Sequence, residues 1–390
     1  MIKFILLSLG VVLSMTACSK QKMQDLINND LYVAGQQLDS FAARFDTGAA
    51  TPRSWNGTKY TTISPSDWTI GFFPGSLWLY YQITGDKKYE ALAEKYTARI
   101  AGNEIRTDTH DLGFIIFCSY GKQQEVKKDS ASAAMVISAS KSLASRFDSK
   151  IGLIRSWDFG NWNYPVIIDN MMNLEMLFWA SEYTGDSTYR NVAIKHADRT
   201  LENHFREDNS CYHVVSYNND GTVESKGTYQ GYSDGSAWAR GQAWALYGYT
   251  MCYRYTRYER YLSKAVEVAE MIMNLKDMPE DHVPYWDYNA PGKPDVARDA
   301  SAAAISASAL LELSALTSDR HSQRYFKYAE DILRSLSSEE YLAAVGENGD
   351  FILKHCTGAA PFKSEVDAPL VYADYYFLEA IKRYIQETKY

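Results

Sequence analysis

Apolar residues along this chain recur mostly three and four positions apart, and sustained strand-like alternation over many segments is missing. That period predicts helices over residues 73–83, 131–144, 170–183, 238–255 and 301–316. Between them a phrase repeats. Thr84-Gly85-Asp86 precedes Tyr89, Ala91 and Ala93, and Thr184-Gly185-Asp186 precedes Tyr189, Ala193 and Ala197. Thr256 stands before Tyr261 and Ala265, and Thr317-Ser318-Asp319 before Tyr325, Tyr328 and Ala329. Each time Gly, Arg or Ser breaks one helix, a polar residue can cap the next, and an amphipathic stretch follows.

The unit is therefore a helical hairpin, repeated irregularly, and about six fit between residues 25 and 388. Small residues crowd several helices, as in Ala300-Ser301-Ala302-Ala303-Ala304 and Ser306-Ala307-Ser308-Ala309. Small side chains let helix axes approach closely, which suits two concentric rings. The expected fold is all-α, an α/α toroid with a cleft at the end where the inner helices begin. An open superhelical solenoid is the competing architecture. No Pro/Gly/Ser-rich linker divides the chain, so residues 30–390 read as one domain.

The amino terminus reads as a targeting segment. Lys3 supplies a positive end, and residues 4–12 are an apolar run too short to span a bilayer. Leu13-Ser14-Met15-Thr16-Ala17-Cys18 follows and resembles a bacterial lipoprotein cleavage site. The expectation is loss of residues 1–17, lipidation of Cys18, and an anchor and tether over residues 18–29. Ser19-Lys20-Gln21-Lys22 lacks an acidic run, which points to a lipid-anchored protein of the bacterial cell envelope facing the periplasm. The lipid would be the only membrane contact.

Composition narrows the partners. Aromatic residues make up 14% of the chain, with 30 Tyr and 9 Trp, which fits a sugar-stacking cleft and equally a Tyr-rich helical core. Lys and Arg number 40 against 48 Asp and Glu, and no basic run appears, so nucleic acid is not an expected partner. Cys118, Cys211, Cys252 and Cys356 show no C-x-x-C spacing and read as structural thiols. Seven scattered His form no H-x-x-x-H cluster, so neither metal nor cofactor is expected, and a serine nucleophile is not expected either.

Chemistry-bearing residues gather at six loop-to-helix junctions. These are Asp67-Trp68-Thr69-Ile70-Gly71-Phe72; His110-Asp111-Leu112-Gly113-Phe114; Asp169-Asn170-Met171-Met172-Asn173-Leu174-Glu175; Gln230 to Asp234 running on to Trp238-Ala239-Arg240-Gly241-Gln242-Ala243-Trp244; Pro284-Tyr285-Trp286-Asp287-Tyr288; and Glu365-Val366-Asp367-Ala368-Pro369. In this order they resemble glycoside hydrolase family 88, the unsaturated glucuronyl hydrolases, over roughly residues 30–385. The resemblance implies an (α/α)6 barrel acting on the 4,5-unsaturated uronic acid that polysaccharide lyases leave at the non-reducing end of di- or tetrasaccharides. It also implies a mechanism in which the C4=C5 double bond is hydrated. A proton goes to C4, water adds at C5, and the hemiketal opens with loss of the glycosidic bond. One carboxyl group can then serve as both acid and base, and the two-carboxylate spacing rule of ordinary glycosidases does not apply.

Carried over by motif, Asp169 is the acid/base and Asp111 the assisting aspartate. The apolar neighbours of Asp169 (Val166, Ile167, Ile168, Met171, Met172) favour its protonated form, and Asn170 and Asn173 are placed to orient it. A plain helix N-cap is the other reading of Asp169. Trp68, His110, His213, Gln230, Trp238, Arg240 and Trp244 match the family's substrate-side residues. Arg240 is the candidate for the uronate carboxylate, since its fork binds carboxylates bidentately; a structural pair with Asp234 or another acid is the alternative. Trp238 and Trp244 are six apart and point in different directions on one helix. Lys354, His355 and Lys363 form a basic loop that could meet a sulfate or simply be solvated. The competing functions are an unsaturated rhamnogalacturonyl hydrolase acting on pectin fragments, a non-catalytic glycan-binding lipoprotein, and a helical scaffold.

Overall fold

A computed structural model describes residues 2–48 and 51–388, with side chains from residue 22 onward except that of residue 319. The helices are α1 (Ile2–Arg44), α2 (Phe72–Thr84), α3 (Lys87–Ala98), α4 (Lys122–Lys127), α5 (Ser130–Ala144), α6 (Leu174–Thr184), α7 (Ser187–Asn203), α8 (Ala239–Thr256), α9 (Glu259–Met273), α10 (Ala300–Leu316), α11 (Asp319–Leu336) and α12 (Val371–Thr388). A π-helix, Gly113–Gly121, runs directly into α4, and a 3₁₀ segment, Ile168–Asn173, leads into α6.

Two rings result. The inner ring passes through α2, the π-helix with α4, α6, α8, α10 and α12, each against the next, and α12 returns to α2. The outer ring holds α3, α5, α7, α9 and α11, with α1 as its sixth member. Three tyrosine hydroxyls of the first hairpin fasten α1: Tyr80 donates to the Leu31 carbonyl, Tyr89 to Gly35 and Tyr96 to Ala42. Ser337, just past α11, closes the seam by donating to Asp30 of α1 at 2.7 Å. The closed ring excludes the open solenoid. The packed face of α1 reaches back to Met23 and Ile27, both 1% exposed, so the body begins ahead of the boundary expected at residue 30. The expected signal segment and Cys18 lie outside the described side chains. Among the described residues no helix is long and apolar enough to cross a membrane.

The inner-to-outer turns follow the repeated phrase. Gly85 and Gly185 take left-handed φ values of 74° and 75°, ending α2 and α6, and Asp86 and Asp186 then accept the backbone N–H of Lys88 and Thr188. Close inner packing rests on a few glycines: a Cβ at Gly71 would lie 2.1 Å from the Phe114 carbonyl oxygen. Cys118, Cys211, Cys252 and Cys356 are buried and free.

The opposite turns are long and carry short antiparallel hairpins, which the helical periodicity did not reveal. They are β1 (Pro52–Trp55) with β2 (Tyr60–Thr62), β3 (Phe147–Asp148) with β4 (Leu153–Ile154), β5 (Pro165–Ile167) with β6 (Val214–Tyr217) and β7 (Val223–Gly227), and β8 (Cys356–Ala359) with β9 (Ser364–Ala368). Strands of two to five residues are too short to set up a readable period. Ile151, Leu153, Val166, Val215 and Tyr217 form a small second core beneath them. This face sits where the inner helices begin.

Candidate active site

Asp169 occupies the 3₁₀ segment at the mouth of the ring, directly after β5. Its segment is tied down by neighbours on both sides. Asn170 donates to the Ile154 carbonyl at 2.9 Å and to Ser156 Oγ at 3.2 Å. Asn173 accepts the Phe114 N–H at 3.1 Å and donates to the Asp169 carbonyl at 3.4 Å. The two asparagines therefore fix the backbone around Asp169 and do not touch its carboxyl group, which corrects the expectation. The 3₁₀ geometry also removes Asp169 from the N-cap position, which Asn173 fills.

The carboxyl group itself is 11% exposed. Burial pushes its pKa up from 3.8 to about 7, with the Arg240 charge opposing and Asp111 adding to the rise. Its Oδ2 makes no hydrogen bond among the described atoms and faces His213 Nε2 at 3.7 Å. Trp244 Nε1, also without a hydrogen-bond partner, lies beside the same carboxyl.

The two histidines of the site carry opposite tautomers. His213 Nδ1 accepts backbone N–H groups from Tyr229 and Gln230, both at 3.2 Å, so its proton sits on Nε2 and points at Asp169. Burial, helped by Arg240, holds His213 neutral. His110 is reversed: Nδ1–H donates to the Ser156 carbonyl at 2.8 Å, so the Nε2 lone pair faces Asp111 Oδ1 at 3.1 Å. That contact needs one proton. Burial lowers the pKa of His110 and raises that of Asp111, which disfavours charge on either partner. Thr109 donates to the other Asp111 oxygen at 3.2 Å. Asp111 stands just ahead of the π-helix, a distortion common at functional positions.

Arg240 is 1% exposed and already engaged. Nη1 donates to Asp299 Oδ2 at 2.8 Å and to the Thr357 carbonyl at 2.5 Å, and Nη2 donates to the Gly358 carbonyl at 2.5 Å. The structural partner is thus Asp299, while Asp234 accepts the Thr228 N–H instead. Nε–H and one Nη2–H remain of the five donors, and Arg240 still borders the cavity. Trp238 and Tyr372 lie 4.5 and 5.3 Å from its guanidinium.

A cavity of about 90 Å³ joins these groups, lined by Trp68, His110, Asp111, Phe114, Trp157, Ile167, Asp169, Gln230 and Arg240. It opens into one of about 500 Å³ that shares Trp68, Asp111, Trp157 and Gln230. Trp238 and Trp244, 3% and 0% exposed, do not line it. They sit behind His213, Arg240 and Asp169: Trp238 packs 4.5 Å from His213, and Trp244 packs against Phe114 and Tyr376. His213 likewise does not line the cavity but lies beside Asp169. Of the basic loop, Lys354 donates to the Glu339 carbonyl and His355 is held by Asp367 at 2.5 Å, which leaves Lys363. No cluster of three metal-binding side chains occurs among the described residues.

The model for Glycosyl Hydrolase Family 88 matches residues 45–386. The chain belongs to that family. An unsaturated glucuronyl hydrolase of Formosa agariphila is 42% identical, with 97% of each chain covered. An unsaturated chondroitin disaccharide hydrolase of Streptococcus agalactiae is 32% identical over 95% of this chain and 93% of that relative. A crystal structure of an unsaturated glucuronyl hydrolase specific for heparin superposes with a TM-score of 0.91 at 47% identity, covering 94% of this chain and 98% of that one. The protein is accordingly a glycoside hydrolase, and the helical-scaffold and non-catalytic readings fall away. Trp157, which lines the cavity, and Asp299, which holds Arg240, were not singled out from the sequence. Trp157 was signalled by the aromatic run Trp157-Asp158-Phe159-Gly160-Asn161-Trp162, which resembles no helix and stands in a loop. Asp299 gave no signal beyond its place as an N-cap before Ser301.

Proposed function

We propose that this protein removes the 4,5-unsaturated uronic acid from the non-reducing end of lyase-generated glycosaminoglycan oligosaccharides by hydrating the ring double bond. The supporting observation is a buried carboxyl group, Asp169, whose pKa near 7 lets it give a proton and take one back at neutral pH. In this reading protonated Asp169 donates to C4. Water adds to the electron-poor C5 and returns a proton to the same carboxylate. The product is a hemiketal at C5, which opens and expels the neighbouring sugar. Atoms balance with one water consumed.

The remaining groups hold the pieces. Arg240 offers its two unspent N–H donors to the uronate carboxylate, and Asp299 fixes the fork for that purpose. Asp111, held by His110 at Oδ1 and by Thr109 at Oδ2, contacts a ring hydroxyl through its remaining hydrogen-bonding capacity. The His213 N–H steadies the Asp169 anion after protonation of C4. The glycosaminoglycan class is favoured because the relatives' names concern heparin and chondroitin disaccharides. We further propose that Cys18 carries the lipid and that the enzyme faces the periplasm from it.

The test is a set of unsaturated disaccharides made by lyases from heparin, chondroitin and pectin. Loss of the ultraviolet absorbance of the conjugated double bond reports turnover. The heparin or chondroitin products should be bleached by the wild type and not by folded Asp169→Asn. Exclusive bleaching of the pectin product would transfer the protein to the rhamnogalacturonyl reading, and wild-type turnover by Asp169→Asn would remove the assignment. Fatty-acid labelling that persists in Cys18→Ala would refute the anchor.

A further inference from the structure

Aromatic faces left in water need a reason, and three of them meet on one rim. Phe159, Tyr229 and Phe362 are 54%, 37% and 52% exposed. They come from three separate segments: the loop between β4 and β5, the loop after β7, and the turn between β8 and β9. Their rings nonetheless touch, with Tyr229 to Phe362 at 4.7 Å and Phe159 to Tyr229 at 6.0 Å. Trp157 stacks on Phe159 at 5.1 Å and lies 5.2 Å from Tyr229, and its other edge meets His213 at 5.7 Å. The ladder therefore runs from the acid/base outward to solvent through Trp157.

The cavities divide along the same line. Trp157 borders both, whereas Phe159, Tyr229 and Phe362 border only the outer one. The outer space, about 500 Å³ against about 90 Å³, is too large to be filled by the sugar next to the cleaved bond alone. Its arginines are already spent on carboxylates. Arg53 is held bidentately by Glu365 at 2.5 and 2.9 Å, and Arg106 by Asp108 at 2.9 and 3.0 Å. What the rim offers is ring faces, which suit the apolar face of a pyranose and exclude water from it.

We propose that Phe159, Tyr229 and Phe362 form a platform for the sugars beyond the one adjacent to the cleaved bond, so that the enzyme favours tetrasaccharides and longer chains over disaccharides. This rests on the function proposed above. Trp157 would take the neighbouring sugar and the outer three rings the next. The specificity is for length and ring shape, set on the reducing side and independent of the proton-transfer groups.

The experiment compares an unsaturated disaccharide with the tetrasaccharide of the same repeat. For the wild type, KM for the tetrasaccharide should be about tenfold lower, the worth of one or two well-stacked rings. Phe362→Ala, Phe159→Ala and their double variant should raise the tetrasaccharide KM to the disaccharide value. They should leave kcat and KM on the disaccharide unchanged. Both positions are more than half exposed, so folding should survive, and a thermal melt verifies it. Equal wild-type KM for the two lengths, or variants that alter both substrates alike, would overturn the proposal. If the wild type bleaches neither substrate, the functional reading itself fails, an outcome distinct from equal use of both.

Discussion

A carboxyl group held near pH 7 by burial must weaken the fold wherever it is ionised, and Asp169→Asn should reveal by how much. The shift from 3.8 to about 7 spans roughly three pH units, each worth about 1.36 kcal/mol, or about 4 kcal/mol in all. The sign follows from proton binding. Below pH 4 Asp169 is protonated in both folded and unfolded chains and costs nothing. Between about 4 and 7 the folded chain keeps a proton that the unfolded chain has lost, so stability falls as pH rises. Above about 7 both states are ionised and the whole cost is present. Asparagine has nearly the same shape and no charge, so the variant should gain on the wild type across that window. For 390 residues the unfolding entropy is about 0.8 kcal/mol per degree, so the gain amounts to about 5 °C in Tm. The assay is a pair of thermal melts for each protein at pH 5 and pH 8.5, with activity followed in parallel. Asp30 and Asp374 also have pKa values raised to about 7, but both proteins carry them, and their effect cancels in the difference. The quantity to read is the change of the variant-minus-wild-type gap with pH. A gap of equal size at both pH values would refute the claim that Asp169 is desolvated. A large gain at pH 8.5 with loss of turnover would show function held at the expense of stability.

If protonated Asp169 is the acid, kcat/KM should fall tenfold per pH unit above about 7, read from the rate of double-bond bleaching against pH. Replacing His213 by Gln removes an N–H fixed by the Tyr229 and Gln230 amides; kcat should drop about 10–100-fold while the melt changes little, and an unchanged kcat would refute its contact with the acid/base. Asp299→Asn strips the fully buried Arg240 of its charge partner and should cost about 3–5 kcal/mol, seen as a Tm lower by about 4–6 °C together with a raised KM. Gly113→Ala places a Cβ 2.7 Å from the Asn173 Cα and Oδ1, so it should part the π-helix from the 3₁₀ segment and lower both Tm and kcat.

What could be read from the chain and what could not divide by length scale. Most inner and outer helices were legible because they carry more than ten residues of apolar period; α2 ends on Gly85 and α6 on Gly185, as the Thr-Gly-Asp phrase requires, whereas the nine-residue π-helix and six-residue α4 were too short to show one. The candidate acid/base, Asp169, stood out as a motif among Val, Ile and Met, but its local conformation did not. Residues 168–173 form a 3₁₀ turn because Asn170 and Asn173 bond to Ile154 and Phe114, partners 16 and 59 positions away. Arg240 illustrates the limit. The sequence showed a fork on a helix beside the cleft, yet its partner Asp299 lies 59 residues on and carries no family phrase around it. The hairpins on the cleft face were invisible for a related reason. Two-residue strands such as β3 and β4 gain their order from the small core of Ile151, Val166 and Tyr217, not from a period of their own.

The same division explains why the ring can host this chemistry. Hydrating a double bond needs a carboxyl poised near neutrality, and that poise comes from removing water, not from a second charge. Asp111 adds to the rise of the Asp169 pKa, but less than burial does. Arg240 would pull Asp169 down, but its charge is shared with Asp299 behind the cavity wall. Both influences are smaller than that of burial, and both side chains are held by partners from elsewhere in the ring: Ser156 orients the His110 beside Asp111, and the Asp299 carboxyl faces the Arg240 fork. Desolvation is left as the dominant influence on Asp169. A closed ring of helices supplies it: Trp244 beside the carboxyl is fully buried, as are Ile168 and Met171 on the same segment as Asp169. The acid/base function therefore depends on packing on the inner ring as much as on the residues that meet the sugar.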